Sequence, residues 1–120
     1  MKEGAVRILY VDDDPILARL AQRVLGRLGY EVLYAEDVEH GRALFAKGDF
    51  AAVVLDHFLK SGTGLSFLKE LSDAPGAVPA VYVTGSNDAQ VAIEALKAGA
   101  ADYVIKTVGD DFMPLLANEI

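Results

Sequence analysis

Five residues suited to phosphate and metal chemistry each follow a short apolar run. Asp12 and Asp13 come after Val6 to Val11, Asp56 after a run ending at Leu55, Thr84 after Ala80 to Val83, and Lys106 after Tyr103 to Ile105. Two unit charges ~4 Å apart repel by roughly 4 kcal/mol at an effective dielectric near 20. Three carboxylates brought together therefore need a cation, and an all-oxygen donor set suits Mg²⁺, with Mn²⁺ an acceptable substitute. A phosphoryl group could then share the metal's charge, with Lys106 pairing to one phosphoryl oxygen and Thr84 donating to another. A carboxylate of the set can itself be the nucleophile, forming an acyl phosphate.

Taken singly, most of these residues have ordinary roles. Asp14 before Pro15 reads as a helix cap followed by proline at the first helical position. Asp12 or Asp13 alone would be a loop acid, Thr84 a β-branched strand residue and Lys106 a snorkelling surface lysine. Tyr103 alone would be a core aromatic. Asp56 differs, because a carboxylate ending a buried strand needs compensation. Function is indicated by convergence, since all five fall at strand ends in the order Asp-Asp, Asp, Thr, Lys.

The elements that must position them alternate along the chain. Strands are expected over Val6–Val11, Tyr30–Ala35, Phe50–Leu55, Ala80–Thr84 and Tyr103–Ile105. Between them, Leu17, Leu20, Val24 and Leu28 recur at helical spacing until Gly29. Further helices are expected over Val38–Lys47 closed by Gly48, Leu65–Leu71, Asp88–Ala98 before Gly99, and from Asp110 or Asp111 onward. The run Phe50 to Leu55 is nearly all apolar, as in a strand buried on both faces. Such alternation means a parallel sheet with right-handed crossovers and helices on both faces, and a working site beyond the carboxyl ends of the strands.

The composition is that of one globular domain: 120 residues, 52% hydrophobic and 24% charged. Cysteine is absent, which excludes disulfides, thiolate nucleophiles and cysteine metal sites. A net charge of −7 argues against nucleic acid or an anionic membrane as a direct partner. No apolar run approaches a membrane span or a signal-peptide core, so a cytoplasmic domain is expected. The last helix's stripe, Phe112, Leu115, Leu116 and Ile120, runs to the final residue without a capping signal. Residues 1–120 are accordingly expected to be one domain forming the N-terminal part of a longer protein.

Specific stretches carry a family resemblance. They are Ile8 to Pro15, Val54-Leu55-Asp56 with Gly64 downstream, Tyr82-Val83-Thr84-Gly85, and Ala95 to Lys106. Over nearly its whole length the chain resembles a response-regulator receiver domain of two-component signalling. The resemblance implies a flavodoxin-like, doubly wound sheet of strand order 2-1-3-4-5. It implies that Asp56 is the phosphoacceptor and that Asp13, with Asp12 through water, holds Mg²⁺ together with Asp56 and the backbone carbonyl of Phe58. Thr84 and Lys106 would bind the phosphoryl group, and Tyr103 would be the switch aromatic that turns inward as Thr84 moves. The domain would catalyse only its own phosphorylation and dephosphorylation, with a histidine kinase or histidine phosphotransfer protein as partner. Homodimerisation stays open.

The chain departs from the family pattern at several points. Lys60 stands where proline is usual, and Thr107 follows Lys106 where a cis-proline is usual, which favours a trans bond because a non-proline cis bond costs about 3 kcal/mol. Phe58 and Gly85 flank the site where polar and small residues respectively are commoner. The Phe58 ring is expected to exclude water and slow dephosphorylation.

The rival reading is a haloacid-dehalogenase-like phosphatase using Asp12, with Asp12-x-Asp14 as its motif. Pro15 and the short chain oppose it, and it leaves Asp56 without a role. A flavodoxin-like nucleotide binder would place phosphate against Asp12, Asp13 and Asp14, which repel it. A phosphorylation-independent interaction domain would not need all five site residues. Arg19, Arg23 and Arg27 form a basic stripe on the first helix, either a solvated face or the docking surface for the kinase. His40 and His57 are expected at the surface or in loops, with His57 directed away from the Asp56 side by strand alternation.

Overall fold

The computed structural model describes residues 6–59, 62–74, 78–84 and 89–105. Its first strand, β1 (Val6–Val11), runs into a turn at Asp12 to Asp14 and then into α1 (Pro15–Arg27). The expected cap is present: the Asp14 carboxylate accepts from the amides of Ile16 at 3.0 Å and Leu17 at 3.2 Å, with proline at the first helical position. Gly29 closes the helix with φ 96°, a conformation that favours glycine. There follow β2 (Tyr30–Ala35), α2 (Val38–Lys47) capped by Asp37, and β3 (Ala52–Asp56). Beyond β3 lie a short hairpin of β4 (Phe58–Leu59) and β5 (Gly62–Thr63), then α3 (Leu65–Asp73), β6 (Ala80–Thr84), α4 (Ala89–Lys97) and β7 (Asp102–Ile105).

The five long strands form one parallel sheet in the order β2-β1-β3-β6-β7. Counting only these strands, this is the expected 2-1-3-4-5 order. Burial follows the order: every residue of the inner strands β3 and β6 is buried, whereas β2 and β7 at the edges are mostly half-exposed. Alternation divides the core into two layers. Leu9, Val11, Val53, Leu55 and Tyr82 pack with Val38, Phe67, Leu68 and Ala95 from α2, α3 and α4. Ile8, Tyr10, Val54, Val81 and Val83 pack with Ala18, Ala21 and Leu25 from α1. On the surface, Arg42 of α2 makes a forked pair with Glu70 of α3, at 3.0 Å from Nε and 2.6 Å from Nη2, and also binds Glu39.

Three differences from the sequence expectation have physical reasons. The third strand starts at Ala52, because Phe50 instead stacks its buried ring on Phe45 with centroids 6.0 Å apart. The buried side of α1 is carried by Ala18, Ala21 and Leu25, while Leu20 and Leu28 of the expected stripe are 42% and 59% exposed. The β4–β5 hairpin was not foreseen, since two-residue strands are too short to show periodicity. The expected final helix, along with Lys60, Gly85, Lys106 and Thr107, lies outside the described residues.

Candidate functional site

Parallel register brings the acids together. Val11 pairs with Leu55, so Asp12 comes level with Asp56 one step beyond, where the two strands leave the sheet. This is the point at which the strand order reverses between β1 and β3, the crevice where open α/β sheets place their ligands. Asp12 is 1% exposed and Asp56 4% exposed, while Asp13 is half-buried. One carboxylate oxygen from each of Asp12, Asp13 and Asp56 falls within 4.8 Å of the others. Only oxygen donors are offered, which fits a hard divalent cation such as Mg²⁺.

Backbone bonds hold this cluster open at the sheet edge. The Asp12 amide donates to the Ala35 carbonyl at 3.1 Å, and Asp12 Oδ1 accepts from the Asp14 amide at 3.0 Å. The His57 amide donates to the Val83 carbonyl at 2.8 Å, extending the ladder one residue past Asp56. The Gly64 amide then donates to the His57 carbonyl at 3.0 Å, folding the hairpin back over the end of β3. Only glycine fits there, because a Cβ on Gly64 would stand 2.5 Å from the Asp56 carbonyl oxygen.

Thr84 ends β6 and is 1% exposed, beside the Asp56 strand as expected. Phe58 opens β4 directly after the acceptor strand, and its side chain lies outside the described residues. Tyr103 lies on β7, the edge strand among the described residues, and is 36% exposed, so it is not the core residue that its type alone would suggest. The Asp12-x-Asp14 pair of the phosphatase reading is not assembled, since the Asp14 carboxylate is engaged with the amides of Ile16 and Leu17 and Asp56 completes the acidic set.

Two polar features beside the site were given no partner or role by the sequence reading, the His57–Tyr82 pair and Tyr10. His57 is buried, not at the surface, and its Nδ1 lies 2.5 Å from the Tyr82 hydroxyl across an edge-to-face ring contact. Its side is as expected, away from Asp56 and in the layer shared by Tyr82. Burial pushes the His57 pKa down and outweighs the opposing charge of Glu94, which favours a neutral imidazole. Tyr82 is pushed up by burial and then by the charges of Asp56 and Glu94, so its hydroxyl stays protonated. The second group is Tyr10, two residues before Asp12 and therefore on the same strand face.

Known proteins resemble this chain throughout. A family model described as the response regulator receiver domain matches residues 8–116. The transcriptional regulatory protein AruR of Pseudomonas aeruginosa is 39% identical over 105 residues, covering 83% of this chain and 43% of that protein. Protein PetR of Rhodobacter capsulatus is 34% identical over 120 residues, covering 100% of this chain and 50% of PetR. The chain thus spans half or less of these relatives' length. Among solved structures, a CheY-like response regulator receiver domain protein from Methanospirillum hungatei JF-1 has a TM-score of 0.86 at 27% identity, covering 97% of this chain and 90% of that one. No comparison supports the phosphatase.

Proposed function

The chain belongs to the response regulator receiver domain family, and from that premise we propose that Asp56 accepts a phosphoryl group from a phosphohistidine. The observation that carries the assignment is the meeting of Asp12, Asp13 and Asp56 within 4.8 Å at the carboxyl edge. Of these, Asp56 ends the central strand beside Thr84. Asp13 directly, and Asp12 through water, would hold Mg²⁺ together with Asp56 and the Phe58 carbonyl. When bound, the ion supplies the positive charge that lets carboxylate and phosphoryl oxygens approach each other.

The transfer is a displacement at phosphorus. An Asp56 oxygen attacks, the donor's nitrogen–phosphorus bond breaks, and its electron pair stays on the imidazole. Burial of Asp56 and Thr84 keeps bulk water from competing. Thr84 donates its hydroxyl to one phosphoryl oxygen, and Lys106 pairs with another. Because the domain itself brings these groups together, a small phosphodonor serves as well as a kinase.

The partner surface we assign is α1. Ile16 is 80% exposed and Leu20 42%, and with Arg19 and Arg23 they line an open groove near the acidic edge. An apolar ridge flanked by guanidinium groups suits a helix of a histidine kinase or histidine phosphotransfer protein. We assign no nucleic-acid contact to this domain, whose net charge of −7 opposes a phosphate backbone.

Acetyl phosphate labelling with Mg²⁺, read by intact mass and peptide mapping, tests the acceptor. The label should map to Asp56, and Asp56→Asn should abolish it while the domain stays folded. A label on Asp12, or undiminished labelling of the variant, would sink the assignment.

A further inference from the structure

A buried hydroxyl lies beneath the acidic cluster without a partner. Tyr10 is 1% exposed, and its Oη is the sole buried side-chain nitrogen or oxygen among the described residues that makes no hydrogen bond. Such a group costs folding free energy, since the unfolded chain would hydrogen-bond it to water. Retaining it calls for a role.

Register shows where the phenol goes. Tyr10 pairs with Val54, and both side chains lie in the α1-side layer of the core. Alternation puts Asp12 on the same face of β1 as Tyr10, and Asp56 on the same face of β3 as Val54. Two residues along a strand span ~6.6 Å, about the reach of a tyrosine side chain. The phenol therefore extends along the sheet toward the carboxylates. Its surroundings agree, since the charges of Asp12, Asp56 and Asp14 all act on the phenol and the Asp12 carboxylate lies within interaction range of its hydroxyl, which at neutral pH carries its proton and faces the acids as a donor. The Asp12 carboxylate already accepts from the Asp14 amide, and a carboxylate has lone pairs for further donors.

We propose that Tyr10 is a positioning residue for the cation site, its hydroxyl donating to the Asp12 carboxylate when a divalent cation occupies the acidic cluster. The inference rests on the reading of that cluster as a Mg²⁺ site. Carboxylates that serve a metal are in turn hydrogen-bonded, and removing such a bond typically weakens metal affinity 10- to 100-fold. Here the donor is in place before the cation arrives. With a cation held by the cluster, the Asp12 carboxylate would be the acceptor for that hydroxyl.

The test is a calorimetric Mg²⁺ titration, with thermal unfolding in the presence and absence of Mg²⁺, on the wild-type chain, Tyr10→Phe, Asp12→Asn and the double variant. Tyr10→Phe should weaken Mg²⁺ binding about tenfold and shrink the Mg²⁺-induced rise in Tm. Its metal-free Tm should be unchanged or higher, because an unsatisfied polar atom has been removed. In the Asp12→Asn background the same substitution should have no further effect on affinity. Wild-type Mg²⁺ affinity in Tyr10→Phe overturns the proposal, as does a tenfold loss that persists without the Asp12 carboxylate. A lower metal-free Tm in Tyr10→Phe makes the hydroxyl structural and overturns it too. A wild-type chain that binds no Mg²⁺ overturns both the proposal and the reading of the cluster, which distinguishes that failure from the others.

Discussion

Adjacent acids in the turn after β1 face different partners. The Asp14 carboxylate accepts from two amides of the first turn of α1, while Asp13 contributes its oxygen to the set formed with Asp12 and Asp56. Removing each should therefore harm a different property. Asp14→Ala should cost about 1 kcal/mol of stability through the lost cap and leave Mg²⁺ affinity nearly intact. Asp13→Ala should weaken Mg²⁺ binding far more and lift a repulsion in the metal-free domain. Urea unfolding and metal titration of both variants check this partition, and equal Mg²⁺ affinities would refute it. His57 and Tyr82 illustrate the opposite case, a neutral polar pair settled within the core: each shift favours the uncharged form, so the hydrogen bond brings no charge into the apolar layer beneath the site.

Elements place these residues through close approach more than through propensity. The hairpin after β3 folds back so tightly at Gly64 that an added Cβ would meet the Asp56 carbonyl at 2.5 Å and Leu55 Cγ at 2.9 Å. Backbone and a packed leucine cannot yield cheaply, so Gly64→Ala should destabilise the domain by about 1–3 kcal/mol. It should also slow phosphorylation by displacing the acceptor. Gly26 of α1 is the counterpart, with nothing within 4 Å of an added Cβ and no positive φ. There alanine should raise stability by up to about 1 kcal/mol through helix propensity. Denaturant midpoints of the two variants should move in opposite directions. The α1 face follows the same rule: Ala18, Ala21 and Leu25 meet the sheet, while Leu20 of the helix and Leu28 at its end are left outside.

At the scale of the molecule, the site spans neighbouring strands of one sheet. Asp56 and Thr84 end neighbouring inner strands, and β7 lies beside β6 with Tyr82 paired to Tyr103 and Thr84 to Ile105. A phosphoryl group on Asp56 would give Thr84 a new, charged acceptor. That differential contact is the free-energy source for shifting a two-state equilibrium. Tyr103 is 36% exposed, and Ile93 and Leu96 of α4 are exposed nearby in sequence. Addition of a beryllium fluoride phosphoryl mimic with Mg²⁺ should therefore bury Tyr103 and rearrange the face made by α4 and β7. Backbone NMR spectra that stay unchanged there would refute a switch through Thr84.

The sequence by itself determined the five strand segments, their parallel order through the family resemblance, the Asp14 cap and the identity of the three acids. These depend on local signals: period-two and period-3.6 patterning, capping chemistry and residue types at strand ends. Tertiary structure alone decided which further polar groups meet around those acids. Nothing local distinguishes a tyrosine whose hydroxyl reaches under a carboxylate from any other strand aromatic, and nothing local pairs His57 with Tyr82, twenty-five positions away. The exposure of Tyr103 goes with the place of β7 at the edge of the described sheet, and that of Leu20 and Leu28 with Ala18, Ala21 and Leu25 being the residues that meet the sheet. Each depends on what packs opposite, which a one-dimensional pattern does not encode.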